Sequence, residues 1–360
     1  MSVVKPGDCL HLFFTANSLF VSGLAGLLKQ LGGMKRLRRW LSILTLLILL
    51  GTTGTGMWLG GEVIRPARRS LQAHHREVLA QPEAYGMRLK PFIASDGTPV
   101  VVCEPSGTPG KRGRLVRAQL AARRAPLPGL GDCDRVLVLV HGRRMRKEDM
   151  LFVAERFCAA GFRCIIPDLP GHGDHPAEVA GYGITESSLP AKVAREAAAK
   201  FGFSLENASL LGISMGGAIA MRAATLPDAP WKALVLLCTF DDLASVVETQ
   251  AERLAGPVFG PLLAFGAETR FALETGQMPS AANSKLLAPQ VSCPVLIAHG
   301  TADSFIPPEC GQRLHEALTA AKSRRWVPVP GAGHATIFTT DFPLFATLSE
   351  WLLREMPRAR

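Results

Sequence analysis

The chain has 360 residues, 48% of them hydrophobic, so it can form one large domain or two modest ones beside a membrane segment. Its formal net charge of +10 is uneven, because residues 1–147 hold 23 Lys and Arg against 8 Asp and Glu, and the rest of the chain is acidic. The basic half carries no nucleic-acid-binding motif and the eight cysteines fit no zinc-binding spacing, which argues against both classes of protein.

The first feature along the chain is a run without charged residues, Trp40–Gly61, which is long enough to cross a bilayer. Because tryptophans lie near both of its ends, where indole rings favour the interface, we predict a transmembrane anchor over residues 40–61. A cleaved signal peptide is the main alternative, although no small-residue cleavage site follows the run. Residues 1–33 are either an uncertain extension, with translation starting at Met34, or include a second, weaker span, Cys9–Leu28, in a two-pass protein.

Basic residues set the predicted orientation of the anchor. Four of them precede it directly: Lys35, Arg36, Arg38 and Arg39. Since such clusters stay in the cytoplasm, we expect a protein of the inner membrane with the chain after Gly61 on the non-cytoplasmic side. Two observations weaken this expectation, namely the arginines that follow the span and the number of cysteines in apolar runs, which is more typical of a cytosolic protein.

A polar, basic connector over residues 62–86 precedes the folded part of the chain, residues 87–355. Two apolar runs around Asp96-Gly97 open the folded part and predict a β-hairpin. In the insert over residues 105–134, Pro and Gly bracket a short basic helix that either contacts lipid or forms a solvated surface. A disulfide between Cys103 and Cys133 would fit an oxidising compartment.

From Arg135 onward, apolar strands alternate with amphipathic helices. The predicted strands are VLVLV, RCIIPDL, SLLGI, ALVLLCT, PVLIAHG and RWVPVPG. Alternation with strands that are apolar throughout predicts an α/β fold, a mostly parallel sheet with helices on both faces. The segment of about residues 241–292 has no strand pattern and is predicted as short helices between Pro and Gly turns. Because it leaves the sheet at the carboxyl end of a strand, we predict a small helical lid over a site there.

The strand SLLGI leads into the sequence Gly-x-Ser-x-Gly, formed by Gly212, Ser214 and Gly216, and a helix follows. At such a strand-to-helix turn the glycines remove Cβ atoms that would clash, and the serine hydroxyl projects above the sheet. The N–H groups of the helix start are available to a developing anion. Ser214 is therefore predicted to be a catalytic nucleophile.

A serine hydroxyl needs a base nearby, and two candidates follow in the chain order Ser, Asp, His. Asp303 lies just beyond the strand PVLIAHG, and His334 lies on a loop of small residues after the last strand. Taken alone, Asp303 fits a turn or helix-capping residue and His334 a surface histidine. Their order and their places at strand ends predict a triad with Ser214.

The transition state also needs hydrogen-bond donors for an oxyanion. The strand VLVLV ends at His141-Gly142, and the loop after it is expected to approach the nucleophile. We predict that the backbone N–H groups of Arg143 and Met215 form this oxyanion hole. No metal and no organic cofactor are predicted.

The motifs LVHGRR, PDLPGHGDH, GISMGG, HGTADSFIP and GAGHATIF occur in this order along the chain. By these motifs the chain, from about Leu89 to Trp351, resembles the α/β-hydrolase superfamily. Within it the chain looks most like the serine-aminopeptidase-like and monoglyceride-lipase-like group, in its membrane-anchored bacterial form. Two departures stand out: a run of basic residues after Gly142, and Asp174 where such proteins often carry serine.

The resemblance implies a membrane-anchored serine hydrolase that cleaves carboxylic esters of the acyl-lipid or acylglycerol type. A serine aminopeptidase or a thioesterase on the same triad is the alternative, and an acidic lid residue would serve a peptidase by binding a free amine. The candidates are Glu248, Glu252, Glu268 and Glu274. A non-catalytic membrane-anchored binding protein is a third hypothesis. The expected partners are a small-molecule or lipid ester and the membrane, without nucleic acid.

Overall fold

Eight strands form one sheet in the order β1-β2-β4-β3-β5-β6-β7-β8 in the computed structural model, which describes residues 35–356 apart from the side chain of Arg36. The strands are β1 (Met87–Ile93), β2 (Pro99–Pro105), β3 (Arg135–Val140), β4 (Phe162–Pro167), β5 (Ala208–Ile213), β6 (Trp231–Leu237), β7 (Val295–Gly300) and β8 (Arg324–Val329). The hairpin β1–β2 is antiparallel and β2 pairs antiparallel with β4, whereas all other pairs are parallel. The predicted hairpin and the mostly parallel sheet are confirmed.

The α-helices alternate with the parallel strands as the sequence predicted. They are α1 (Lys35–Ile64), α2 (Ala73–Ala80), α3 (Lys111–Ala122), α4 (Leu151–Ala159), α5 (Leu189–Phe201), α6 (Met215–Ala224), α7 (Leu243–Thr275), α8 (Ser284–Leu287), α9 (Pro308–Ala317) and α10 (Leu344–Glu355). Short 3₁₀ helices cover Pro82–Tyr85, Lys147–Met150, Pro279–Ala281 and Ala288–Gln290.

Both faces of the sheet are buried, because successive strand residues point to opposite sides. Along β3, Val136 and Val138 pack in one apolar cluster with α5, α6 and α9. Leu137 and Leu139 pack in a second cluster with α3, α4 and α10. Burial on both faces explains why the strands are apolar throughout rather than alternating.

The chain divides into two compact units, Met1–Gly54 and Thr55–Arg360, and α1 begins in the first and ends in the second. Leu37–Ile64 is the one helix of the described chain that is long and apolar enough to span a membrane, a test that a signal sequence also passes. The predicted extension over residues 1–33, with its weaker span, lies outside the described residues.

The connector after α1 lies within the second unit, and its arginines bind other parts of that unit. Arg65 pairs with Glu178 and Glu274, while Arg68 donates to backbone carbonyls of residues 173, 175 and 177. Arg69 pairs with Asp149. These arginines follow the span and weakened the orientation that was predicted from the basic residues before it. Each of them contacts other residues of the domain.

Helix α3 confirms the helix that was predicted in the basic insert. Five arginines of the insert lie on or beside this helix, and four of them bind the surrounding chain. Arg112 pairs with Glu155 and Arg123 with Glu350, whereas Arg114 donates to the carbonyl oxygen of Pro109 and Arg117 to those of Ala159 and Pro128. These contacts favour the interpretation of the insert as part of the domain surface over that of a lipid contact.

The possibility of a disulfide between Cys103 and Cys133 is not realised, since both cysteines are free. Cys103 is buried within β2, where its register partner is Cys164 of β4 rather than Cys133. The backbone pairing of the two strands therefore fixes Cys103 inside the sheet.

The segment of about residues 241–292 contains no strand, as predicted, but its helices are not all short. Helix α7 covers 33 residues and is broken at Gly256, whose φ of 73° and ψ of 176° are not helical. Pro257 fits the first position of the second helical part, because its missing N–H needs no intrahelical partner there.

One acidic side chain inside this segment is poorly solvated. Burial raises the pKa of Glu268 to about 7, and the neighbouring carboxylates of Glu248 and Asp242 add to the effect. A raised folded-state pKa means that ionisation of Glu268 opposes folding. The stability that its neutral form contributes is present below the unfolded pKa and is lost as the pH rises through about 7.

Glu268→Gln should therefore raise the melting temperature at pH 8 and leave it nearly unchanged at pH 5, because only the ionised carboxylate carries the penalty. Thermal unfolding at the two pH values measures this difference. Glu252→Gln, on an exposed position of the same helix, is the matched control. An equal change at both pH values, or a loss at pH 8, would contradict the assignment of the penalty to Glu268.

Candidate active site

The turn between β5 and α6 holds Ser214 in a strained backbone conformation, with φ 52° and ψ −118°. A Cβ atom at Gly212 would lie 2.6 Å from the carbonyl carbon of Gly216, and one at Gly216 would lie 2.7 Å from that of Val140. Real Cβ atoms do not make such contacts, so both positions require glycine. The predicted sharp turn is confirmed, and its strain is of the kind that persists where the surroundings impose it.

A chain of hydrogen bonds links the three predicted residues. Nε2 of His334 lies 3.1 Å from Oγ of Ser214, and Nδ1 of His334 lies 2.8 Å from Oδ2 of Asp303. The structure thus brings together side chains that are 120 and 31 positions apart in sequence. In this geometry His334 can accept the proton of the Ser214 hydroxyl while Asp303 fixes the ring.

The carboxylate of Asp303 is buried and held by further donors. Its Oδ1 accepts hydrogen bonds from the backbone N–H groups of Phe305, at 3.0 Å, and Ile306, at 2.9 Å. Burial alone would raise the pKa of Asp303, but hydrogen bonds from His299 and His334, with the charge of His334, lower it well below its ordinary value. Asp303 is therefore ionised across the neutral range.

Two further residues beside Asp303 were missed by sequence reasoning. Nε2 of His299, on β7, lies 3.4 Å from Oδ2 of Asp303 and 2.9 Å from the carbonyl oxygen of Ile306. Cys238, directly after β6, contacts the same carboxylate, and burial raises the pKa of its thiol well above the ordinary range. Both were read as ordinary strand residues in apolar runs. His299 reaches the carboxylate because it lies four positions before Asp303, whereas the pairing of β6 with β7 brings Cys238 to it.

The loop after β3 approaches the nucleophile as predicted. A Cβ atom at Gly142 would lie 3.5 Å from Cβ of Ser214. Met215 is the first residue of α6, so its N–H has no intrahelical acceptor. The placement of Gly142 and Met215 is compatible with the predicted oxyanion hole. The Arg143 side chain points elsewhere, with its guanidinium 3.4 Å from the carbonyl oxygen of Glu62 at the end of α1.

The two departures from the family pattern neutralise each other. Nζ of Lys147 lies 2.7 Å from Oδ2 of the fully buried Asp168 and 2.9 Å from Oδ2 of Asp174. Arg146 pairs with Glu148 and Asp174. Burial alone would lower the pKa of Lys147, but the two aspartates hold it above its ordinary value. Arg146 and Lys147 of the basic loop thus form one charge network with Asp168 and Asp174.

The segment predicted as a lid contacts the loop that carries Asp303. Nε2 of Gln250, in the first part of α7, donates to the carbonyl oxygen of Phe305 at 2.9 Å, and Arg253 donates to that of Ser304. The Phe305 ring lies 5.2 Å from the His334 ring, centroid to centroid. The predicted lid therefore contacts the predicted site directly.

Residues 137–346 of the chain match the family model of the alpha/beta hydrolase family. This range contains the turn at Ser214, Asp303 and His334 and more than half of the chain. The protein belongs to the alpha/beta hydrolase family, and it is a hydrolase.

Individual relatives are more distant. A 3-hydroxybutyrate-oligomer hydrolase of Cupriavidus necator is 33% identical over 129 residues, which are 34% of this chain and 41% of that protein. An esterase of Pyrococcus furiosus superposes with a TM-score of 0.59 at 14% identity, over 81% of this chain and 98% of that one. The acylaminoacyl peptidase of Pyrococcus horikoshii gives a TM-score of 0.52 at 14% identity, over 81% and 45%. At such identities the two structures support the shared fold alone.

The charge network predicts that its members differ in their contribution to stability. Lys147→Met leaves the buried Asp168 without a cation and should cost about 3–5 kcal/mol of unfolding free energy. Asp174→Ser removes a carboxylate that is 57% exposed and should cost at most about 1 kcal/mol. Guanidinium unfolding of the two purified variants measures the difference. Equal losses would show that Asp168 does not depend on Lys147.

Proposed function

We propose that the protein is a membrane-anchored serine hydrolase that cleaves carboxylic esters through an acyl-enzyme on Ser214. The observation that carries this proposal is the hydrogen-bonded chain from Ser214 through His334 to Asp303, at a turn that holds Ser214 at a positive φ. In this proposal the three residues are catalytic, and the glycines at positions 142, 212 and 216 allow the backbone approach.

Each residue of the proposed triad has one role. Oγ of Ser214 attacks the ester carbonyl while Nε2 of His334 takes its proton. The charged imidazole is stabilised by ionised Asp303 and then protonates the leaving alcohol as the tetrahedral intermediate collapses. Water, deprotonated by His334, attacks the acyl-enzyme, and the acid leaves as the proton returns to Ser214. The backbone N–H groups of Arg143 and Met215 bind the oxyanion in both halves of the reaction.

Two observations support an ester substrate of the acyl-lipid or acylglycerol type. The name of the Cupriavidus relative supports an ester, since an oligomer of a hydroxy acid is joined by ester bonds. The apolar helix α1 supports a lipid, because an enzyme held at a bilayer meets its substrate there at high local concentration. Both features fit the membrane-anchored, monoglyceride-lipase-like group that the sequence resembles.

The end of α1 supports an uncleaved anchor rather than a signal peptide. Ile64 is completely buried and belongs to the main apolar cluster. Gly60 lies against the backbone of Ala267 in α7. Removal of α1 would expose these apolar surfaces of the hydrolase domain. A signal peptide that is cleaved off would not be packed against the folded domain in this way. We place the domain on the non-cytoplasmic side, because the basic cluster Lys35–Arg39 precedes the span.

A serine aminopeptidase on the same triad is the second candidate. Glu274 is neutralised by Arg65 and Arg270, whereas Glu268 lies beside a second carboxylate, Glu248. An acidic pair in the lid would bind the free amine of a peptide. A thioesterase would use the triad unchanged, and a non-catalytic binding protein would not need it.

Ser214→Ala tests the proposed nucleophile. The variant should lose turnover by a factor on the order of 10⁴ or more, because it lacks the hydroxyl that Nε2 of His334 contacts, and it should unfold at the wild-type temperature. Hydrolysis is measured on p-nitrophenyl esters, monoacylglycerols and aminoacyl-naphthylamides, with Ser209→Ala as control. Wild-type turnover in Ser214→Ala would refute the assignment, and wild-type preference for the naphthylamides would favour the peptidase.

The proposed topology predicts the behaviour of reporter fusions after Arg360. Alkaline phosphatase should be active there and a cytoplasm-dependent fluorescent protein dark, because the basic cluster retains the other end of α1 in the cytoplasm. Fusions after Arg39 serve as the control with the opposite pattern. An inactive phosphatase together with a bright fluorescent fusion after Arg360 would place the domain in the cytoplasm.

A further inference from the structure

The chain directly after β6 lies between the strand that leads to Ser214 and the strand that leads to Asp303. In the sheet, β6 pairs with β5 on one side and with β7 on the other. The backbone pairing continues past the ends of the strands. The N–H of Ser214 donates to the carbonyl oxygen of Leu237 at 2.9 Å, and the N–H of Cys238 donates to that of Ala298 at 3.0 Å. The segment after β6 is therefore held by both neighbouring strands at the edge of the sheet where the site lies.

The first residue of this segment has a strained backbone. Cys238 has a φ of 46°, in the left-handed region that residues with a Cβ atom rarely adopt. Such outliers persist only where the surrounding structure imposes them, and they are concentrated at functional sites. In a continued strand Cys238 and Thr239 would point to opposite faces of the sheet. The break at Cys238 ends this alternation, and both side chains contact the proposed triad. We call Cys238 and Thr239 the brace.

Thr239 contacts the backbone of the nucleophile. This residue is fully buried, and its Oγ1 donates to the carbonyl oxygen of Ser214 at 2.9 Å. The same carbonyl oxygen also accepts from the N–H of Gly217 at 2.8 Å, so it has a partner without the threonine. The hydroxyl of Thr239 therefore adds a second link, which joins the strained turn to the segment after β6 and opposes rotation of the Ser214 peptide group.

Gly217 makes room for this contact. A Cβ atom at position 217 would lie 2.4 Å from Oγ1 and 2.6 Å from Cβ of Thr239. Real Cβ atoms do not approach other atoms so closely, so the threonine can reach the Ser214 carbonyl only because residue 217 is glycine. The last glycine of the motif GISMGG is thus explained by the position of Thr239.

Cys238 contacts the other end of the triad. Its Sγ, a carboxylate oxygen of Asp303 and a ring nitrogen of His334 all lie within 4.8 Å of one another. The thiol is completely buried, and burial raises its pKa well above the ordinary range, so the group remains protonated. A buried thiol of this kind is inert as a nucleophile, but its S–H is a weak hydrogen-bond donor that faces an ionised carboxylate.

We propose that the brace positions both ends of the triad. Thr239 fixes the carbonyl of Ser214, and Cys238 fixes the carboxylate of Asp303. Both are positioning residues, because they act on the triad and not on a substrate. Since they are consecutive in the chain and held by strands on both sides, the separation of nucleophile and acid is set by one peptide unit. His334 then bridges two groups at fixed positions. This inference rests on the proposed function and adds what keeps its three residues aligned.

Thr239→Val tests the first contact, because valine has nearly the shape of threonine but no hydroxyl. The variant should lower kcat on a p-nitrophenyl ester about 10-fold and leave KM within about twofold, since the orientation of Ser214 matters in the chemical step and not in binding. Thr239→Ser restores the hydroxyl and should recover most of the loss. Thr347→Val is the matched control with wild-type kinetics, because Thr347 in α10 is also buried and donates to a backbone carbonyl.

Cys238→Ala tests the second contact through the rate of reaction with a fluorophosphonate, which requires no knowledge of the substrate. The rate should fall about 3-fold to 10-fold, because the carboxylate that orients His334 loses a donor. Cys238→Ser keeps a donor of similar size and should react at nearly the wild-type rate. Cys164→Ala removes an equally buried thiol from β4 and is the matched control, with the wild-type rate.

The outcomes separate the brace from the proposed function. Wild-type kcat in Thr239→Val, or an equal loss in Thr239→Ser, would overturn the role of Thr239. Equal losses of rate in Cys238→Ala and Cys164→Ala would overturn that of Cys238. A wild-type protein that cleaves no ester and does not react with the fluorophosphonate would refute the proposed function. A crystal structure of Thr239→Val then decides the brace without activity: we expect Oγ of Ser214 to lie farther than 3.1 Å from Nε2 of His334, and an unchanged distance would contradict the proposal.

Discussion

The backbone crowding at the turn between β5 and α6 is the constraint on which the candidate site depends. Neither Gly212 nor Gly216 has room for a Cβ atom, and Ser214 is held at a positive φ. This conformation costs of the order of 1–3 kcal/mol, which the buried sheet on both sides offsets. Relaxation of the turn would move Oγ of Ser214 away from His334 and the N–H of Met215 away from the position of an oxyanion, so the proposed chemistry depends on a strain that the fold maintains.

The surroundings of the turn are held by electrostatics rather than by packing alone. The loop after Gly142 is strongly basic, and the charges of Arg146 and Lys147 are matched by Asp168 and Asp174 from the loop after β4. On the other side, Asp303 is fixed by two backbone N–H groups and by His334. An ionised and fully bound carboxylate keeps the imidazole in one orientation, which a proton relay at neutral pH requires.

Sequence reasoning recovered the features that depend on local pattern. The order of strands and helices, the turn at Ser214 and the positions of Asp303 and His334 at strand ends follow from periodicity, glycine spacing and chain order. It missed what depends on long-range contact: Cys238 beside Asp303, and the arginines of the connector that bind the domain. It also missed His299, four positions before Asp303, because the apolar strand pattern gave that histidine no role. It predicted only short helices between Pro and Gly turns for residues 241–292, whereas α7 covers 33 residues because Pro257 can begin a new helical segment directly after the break at Gly256.

The central claim is that Ser214 is the reactive hydroxyl of the proposed triad, and the most direct measurement is the site of covalent modification. The purified protein is incubated with a fluorophosphonate, digested, and its peptides are analysed by mass spectrometry. The account predicts one adduct, on Ser214, whose formation is strongly slowed by His334→Ala because the hydroxyl then lacks its base. An adduct on another serine, or none on the folded protein, would contradict it.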